Sequence, residues 1–165
     1  LKFNDKIKNN LTLLLARRSG FLGLAEGQYF DLSFENKKIS KKKIIKIQYN
    51  KTGKLFSFCC ECAAIIKGHS AKKRKVLKLL GLDIGLLFQI ADDLIDYKGD
   101  PKIVGKPTKR DKKKGKQTLV NLIGYKKTLK FANNLEKKIN KKIKKYGNKS
   151  KDLLQSIEFI LNRTS

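Results

Sequence analysis

The chain has 165 residues, 40% of them hydrophobic and 33% charged, enough apolar material for one core and too little length for two. Forty Lys plus Arg against 14 Asp plus Glu give a formal net charge of +26, which favours anionic partners, while the ordinary hydrophobic content excludes wholesale disorder. No run reaches the roughly 18 apolar residues of a membrane span, and the longest candidate, Leu77 to Ile90, is interrupted by Lys78 and Asp83.

Apolar Ile7, Leu11, Leu14 and Leu15 recur at helical spacing and predict a helix over Lys6 to Arg18. Gly20, Gly23 and Gly27 punctuate the next segment and suit tight helix packing. After a turn at Asn36 to Ser40, Lys41 to Lys54 reads as a basic amphipathic helix and Leu55 to Ile66 as a buried one, closed by a break at Lys67 to Ser70. Lys72 to Tyr97 is the longest and most apolar helix, and its polar interruptions, Asp83, Gln89 and a carboxylate cluster, need a reason to be buried. Gly99 to Thr118, with two Pro, three Gly and many Lys, is a long loop of the functional kind. Leu119 to Tyr146 and Lys151 to Asn162 complete an all-α, single-domain reading with no internal repeat.

The chemistry concentrates in Phe88-Gln89-Ile90-Ala91-Asp92-Asp93-Leu94-Ile95-Asp96. On a helix Asp92 and Asp96 stack one turn apart with Asp93 beside them, so three carboxylates are expected to face one cavity and to need a cation. Hard oxygen donors on a rigid helix suit Mg²⁺ shared with substrate phosphates. Lys51 and Lys106 are candidates to neutralise such phosphates. Only five of the forty basic residues are Arg, and no aromatic-interleaved or zinc-finger spacing accompanies them, so nucleic acid is not the expected partner. The Lys137 to Lys145 run is expected to be spread around most of its helix. Cys59, Cys60 and Cys62 point in different directions on a helix and read as packing residues rather than a zinc site.

The string GLDIGLLFQIADDLIDYKGDPKIVGKPTKRDKKKGKQTLVNLIG, from Gly81 to Gly124, resembles the second aspartate-rich region of trans-prenyl diphosphate synthases, the farnesyl and geranylgeranyl diphosphate synthase family. Gly27-Gln28-Tyr29-Phe30-Asp31-Leu32 resembles the family's GQ..DL element, and Lys51-Thr52-Gly53 its K-T-G element, in the same order. The resemblance implies a helical-bundle isoprenoid synthase fold and an activity that condenses isopentenyl diphosphate with an allylic prenyl diphosphate. It further implies that Asp92, Asp93 and Asp96 hold Mg²⁺, and that Lys51 and Lys106 grip the allylic diphosphate. Thr52 and Gln89 would turn oxygens towards the developing allylic cation, Gln28 would line the cavity, and the complete enzyme would be a homodimer.

The family's first aspartate-rich motif has no counterpart among the 14 acidic residues, and the chain opens on Leu1 and contains no Met. The expectation is therefore a single-domain C-terminal part of a synthase, inactive alone, with the upstream motif missing. The three Cys and the lack of a signal-like N-terminus suggest the cytoplasm. A non-catalytic partner subunit or degenerate relative is the alternative from another class, and a basic nucleic-acid-binding module is a third.

Overall fold

A computed structural model of the chain describes residues 2–98, 111 and 115–162. Among these residues all regular structure is helical, as the sequence pattern requires. Helix α1, Asp5–Ser19, starts at Asn4, whose side chain accepts from the Ile7 amide at 2.9 Å. Helix α2, Leu24–Ser33, follows one turn closed by the Gly23 amide donating to Gly20 O at 2.9 Å. Helix α3, Lys41–Gln48, is capped by Ser40, and it does not stop where α-helical geometry stops. It passes through a π-helical turn, Tyr49–Gly53, directly into α4, Lys54–Ile66. The sequence reading placed Lys51 and Thr52 in an ordinary amphipathic helix; they lie instead on this π turn, a local widening common at functional positions.

Helix α4 ends in a Schellman motif, with the His69 amide donating to Ala64 O at 2.8 Å and Gly68 in the left-handed region at φ 63°. Helix α5, Ala71–Lys98, is 28 residues long and buried on several sides from Leu80 onwards. The single helix expected from Leu119 to Tyr146 is in fact two: α6, Leu119–Ile123, and α7, Tyr125–Ile143, separated by Gly124 at φ 82°. A 3-10 segment, Lys144–Ser150, then leads into α8, Lys151–Asn162.

The core surrounds α5. Leu80, Ile84, Leu86, Leu87 and Ile90 of α5 pack with Ile44 of α3, Leu119 of α6, Ile139 and Ile143 of α7, and Ile157 of α8. Helix α5 also meets the π turn at backbone distance: a Cβ on Gly85 would stand 2.6 Å from the Gly53 Cα. Gly27 of α2 does the same from the other side, since its Cβ would stand 2.5 Å from the Lys51 Cα. The turn is thus held between α2 and α5.

Two buried carboxylates tie the helices further. Glu61 of α4 accepts from Arg18 of α1 at 2.9 Å and from Arg74 of α5 at 3.3 Å. Asp83, the polar interruption in the apolar stretch of α5, accepts from Lys142 at 2.7 Å and Lys138 at 3.3 Å, both on α7. Its burial is paid for by these ammonium groups. The Lys-rich run of α7 is not spread around the helix as the sequence suggested. Thr128, Ala132, Leu135, Ile139 and Ile143 are buried in one stripe, which leaves the lysines to the other side. No helix among the described residues is long and apolar enough to cross a membrane.

Candidate functional site

The carboxylates of α5 face the π turn and the segment leading into α6. Asp93 is buried and accepts on both oxygens, from Gln48 Nε2 at 2.9 Å and from Gln89 Nε2 at 3.0 Å. The Gln89 amide is thereby fixed, with its Oε1 free to accept from the Thr52 hydroxyl at 3.1 Å. Thr52, Gln89 and Asp93 form one hydrogen-bonded chain from the π turn into α5. Burial pushes the Asp93 carboxyl up to about 7, opposed by the Lys116 charge and the Gln89 hydrogen bond and reinforced by Asp111 and Asp92.

Lys51, on the same π turn, pairs with Asp31 of α2 at 2.5 Å, and Asn50 donates to Glu26 of α2. A second ammonium comes from Lys116, which pairs with Asp111 at 3.3 Å. Burial works against its charge, but Asp93, Asp111 and Asp31 outweigh it and raise its pKa. Lys51, Gln48, Gln89, Lys116 and Asp31 line one recess. Beside it is a cavity of about 290 Å³ walled by Asp93, Asp96, Tyr97, Asp111, Thr118, Val120 and Asn121.

The structure therefore brings Lys51, Thr52, Gln89 and Asp93 together, with Asp96 on the neighbouring cavity wall. Asp93 and Asp96 wall the same cavity but differ in burial: Asp93 is enclosed by amides, while Asp96, like Asp92, is half-buried. Asp96 accepts from the Asp111 amide at 3.0 Å. Among the described residues no three carboxylate, thiol or imidazole side chains converge to enclose a metal ion. Gln28 is half-buried on α2 and makes no side-chain hydrogen bond to the Thr52–Gln89–Asp93 chain among the described residues. Lys106 lies outside the described residues.

Sequence reasoning assigned no role to Gln48, Asp31, Asp111 or Lys116. Gln48 had a signal, being the polar residue on the inner face of α3 beside Ile44 and Ile47. Lys116 and Asp111 were hidden among the lysines of the loop, where composition alone distinguishes nothing.

A family model described as Polyprenyl synthetase matches residues 2–157. The chain belongs to the polyprenyl synthetase family. Farnesyl diphosphate synthase of Micrococcus luteus is 33% identical over 123 residues, 74% of this chain and 42% of that protein. Geranylgeranyl diphosphate synthase of Saccharolobus solfataricus is 36% identical over 141 residues, 83% of this chain and 41% of that protein. The fold matches that of a geranyltransferase from Helicobacter pylori complexed with magnesium and isoprenyl diphosphate, at a TM-score of 0.82 and 27% identity over 97% of this chain and 52% of that one. A farnesyl/geranylfarnesyl diphosphate synthase from Zymomonas mobilis superposes with a TM-score of 0.80 at 33% identity, over 95% of this chain and 52% of that one. This polyprenyl synthetase chain spans about half the length of these solved relatives and about two fifths of the curated ones. Its all-α architecture is the isoprenoid synthase fold that the sequence resemblance implied. The Cys59, Cys60 and Cys62 thiols stay outside the site, and burial pushes Cys60 and Cys62 up to about 11.

Proposed function

We propose that this chain is the diphosphate-binding half of a prenyltransferase that condenses isopentenyl diphosphate with an allylic diphosphate, of the farnesyl or geranylgeranyl type. The observation that carries the reading is the Thr52–Gln89–Asp93 chain, set between the ammonium groups of Lys51 and Lys116. The names of the relatives, and the isoprenyl diphosphate in the H. pylori complex, support it.

Ionising an allylic diphosphate breaks a C–O bond, and the electron pair leaves with the diphosphate. Lys51 and Lys116 supply fixed positive charge for that leaving group, and Lys106 is assigned the same task from the sequence resemblance. Thr52 directs its hydroxyl hydrogen to Gln89, which leaves the Oγ1 lone pairs to face the carbon where positive charge develops. The double bond of isopentenyl diphosphate then forms the new C–C bond, and the released diphosphate takes the proton whose loss restores a double bond.

Mg²⁺ is the proposed metal. The half-buried Asp92 and Asp96 fit a hard cation that takes few protein carboxylates and shares its remaining positions with phosphate and water, and Asp93, whose oxygens accept from the Gln48 and Gln89 amides, is added from the sequence resemblance. When bound, the cation neutralises charge on the departing diphosphate.

The share of the relatives' length that the chain spans, and the exposure of Phe21 at 80%, Leu22 at 72% and Tyr29 at 65%, support a half-site that the rest of the synthase covers. The chain alone is accordingly inactive, and the complete synthase is a cytoplasmic homodimer. The test is transfer of labelled isopentenyl diphosphate by the complete protein. Asp92→Ala should abolish most turnover and Lys51→Ala should raise KM for the allylic substrate at least tenfold. Unchanged kinetics in both variants would refute the assignment.

A further inference from the structure

The outer surface of α7 is a row of single-sign charge. At about 100° per residue Lys126, Lys130, Lys137 and Lys141 fall within an arc of about 60°, centred opposite the buried stripe of Thr128, Ala132, Leu135, Ile139 and Ile143. All four are exposed, and Lys144 continues the row beyond the helix end. From Lys126 to Lys144 the row is about 27 Å long at 1.5 Å per residue. None of the five forms an ion pair within 4.0 Å among the described residues, though Lys137 feels the charge of the adjacent Glu136, in contrast to Lys138 and Lys142, which turn inward to Asp83. The one acidic residue of α7, Glu136, is on the flank and half-buried.

We propose that this face of α7 docks the protein onto an anionic lipid surface. Five flexible ammonium groups in a straight line match a flat, delocalised layer of negative charge. Nucleic-acid recognition would favour forked guanidinium groups and interleaved stacking residues, and the row contains neither. The inference stands on charge placement and is independent of the prenyltransferase reading, so turnover and membrane binding can fail separately.

The test is flotation of the purified chain with phosphatidylcholine vesicles and with vesicles containing phosphatidylserine, which separates bound protein from any aggregate that sinks. Binding should require phosphatidylserine and weaken with added salt. Replacing Lys126, Lys130, Lys137, Lys141 and Lys144 by Gln should weaken it at least a hundredfold, given about fivefold per lysine near a charged leaflet. A charge-matched control, with Lys42, Lys67, Lys72, Lys73 and Lys75 replaced by Gln, should weaken it less than tenfold. Equal loss in the two variants would reduce the effect to net charge and overturn the proposal. So would failure of the wild type to float, or tighter binding of the row to an RNA duplex than to the vesicles.

Discussion

Gly27→Ala tests whether α2 sets the position of the π turn. Alanine gains about 1 kcal/mol of helix propensity over glycine. Against that, the added Cβ would overlap the Lys51 backbone nitrogen and stand 2.5 Å from the Lys51 Cα and 2.7 Å from the Asn50 carbonyl carbon. These are backbone atoms between two packed helices, so relief requires α2 or the turn itself to move. Overpacking of this kind costs about 1–3 kcal/mol and can exceed that, so a net loss of about 1–2 kcal/mol is expected, about 2–8 °C in Tm for a domain of this size. The displaced turn carries Lys51 and Thr52, and a 1 Å error in a reacting constellation costs on the order of a hundredfold in rate. Gly68→Ala is the control: Gly68 is in the left-handed region at φ 63° at the end of α4, and a Cβ there would meet nothing within 4 Å, so the variant should lose about 1 kcal/mol of stability and no turnover. The measurements are thermal melts of the chain and kcat of the complete synthase. A Gly27→Ala enzyme with wild-type Tm and kcat would refute the clamp.

Asp83→Asn should destabilise the fold by about 2–3 kcal/mol, because it weakens two charge-assisted hydrogen bonds at a buried site while Lys138 and Lys142 stay partly solvated; a denaturant-measured loss below about 0.5 kcal/mol would sink the ion-pair role. The Cys60 thiol, raised by burial to about 11 from 9.0, ionises first in the unfolded chain. Stability should therefore fall as pH climbs from about 9 to about 11, by about 2 kcal/mol at most. Cys60→Ala should flatten that part of the profile, and an identical slope in both proteins would contradict it.

Much of the helix pattern was legible because long amphipathic segments declare themselves. The predicted Lys6 to Arg18 became Asp5–Ser19, and Lys151 to Asn162 matched its observed helix. The misses have local causes. Gly124 was readable as a helix residue until its φ of 82° showed that it divides α6 from α7. The π turn at Lys51 depends on contacts with Gly27 and Gly85, which no window on α3 contains. Asp83 could be flagged as a buried polar residue needing a partner, yet Lys138 and Lys142 lie 55 and 59 residues away among many similar lysines. Thr52, Gln89 and Asp93 are singled out one by one in the sequence, but their joining into one hydrogen-bonded chain needed the fold, as did Gln48, because only packing of α3 on α5 brings its amide to the second Asp93 oxygen.

Gln48 separates stability from site geometry. Its Nε2 donates to Asp93 Oδ2, while its buried Oε1 has no hydrogen-bond partner among the described residues. Gln48→Leu removes a hydrogen bond to a carboxyl that burial holds at about 7, a loss of about 1–3 kcal/mol, and at the same time removes an unsatisfied buried acceptor whose desolvation costs about 1–3 kcal/mol. The leucine adds apolar contact beside Ile44 and Ile47, so the melting temperature should change little. Asp93 is then held by Gln89 alone, and Gln89 must divide its orientation between Asp93 and Thr52 with one fewer restraint on the carboxylate. Turnover in the complete synthase should fall at least tenfold at nearly constant Tm. A variant that melts early would mean that the orphan oxygen costs less than supposed. One that keeps full turnover would show that the second amide is not needed to hold Asp93, and that the hydrogen-bonded chain begins at Gln89.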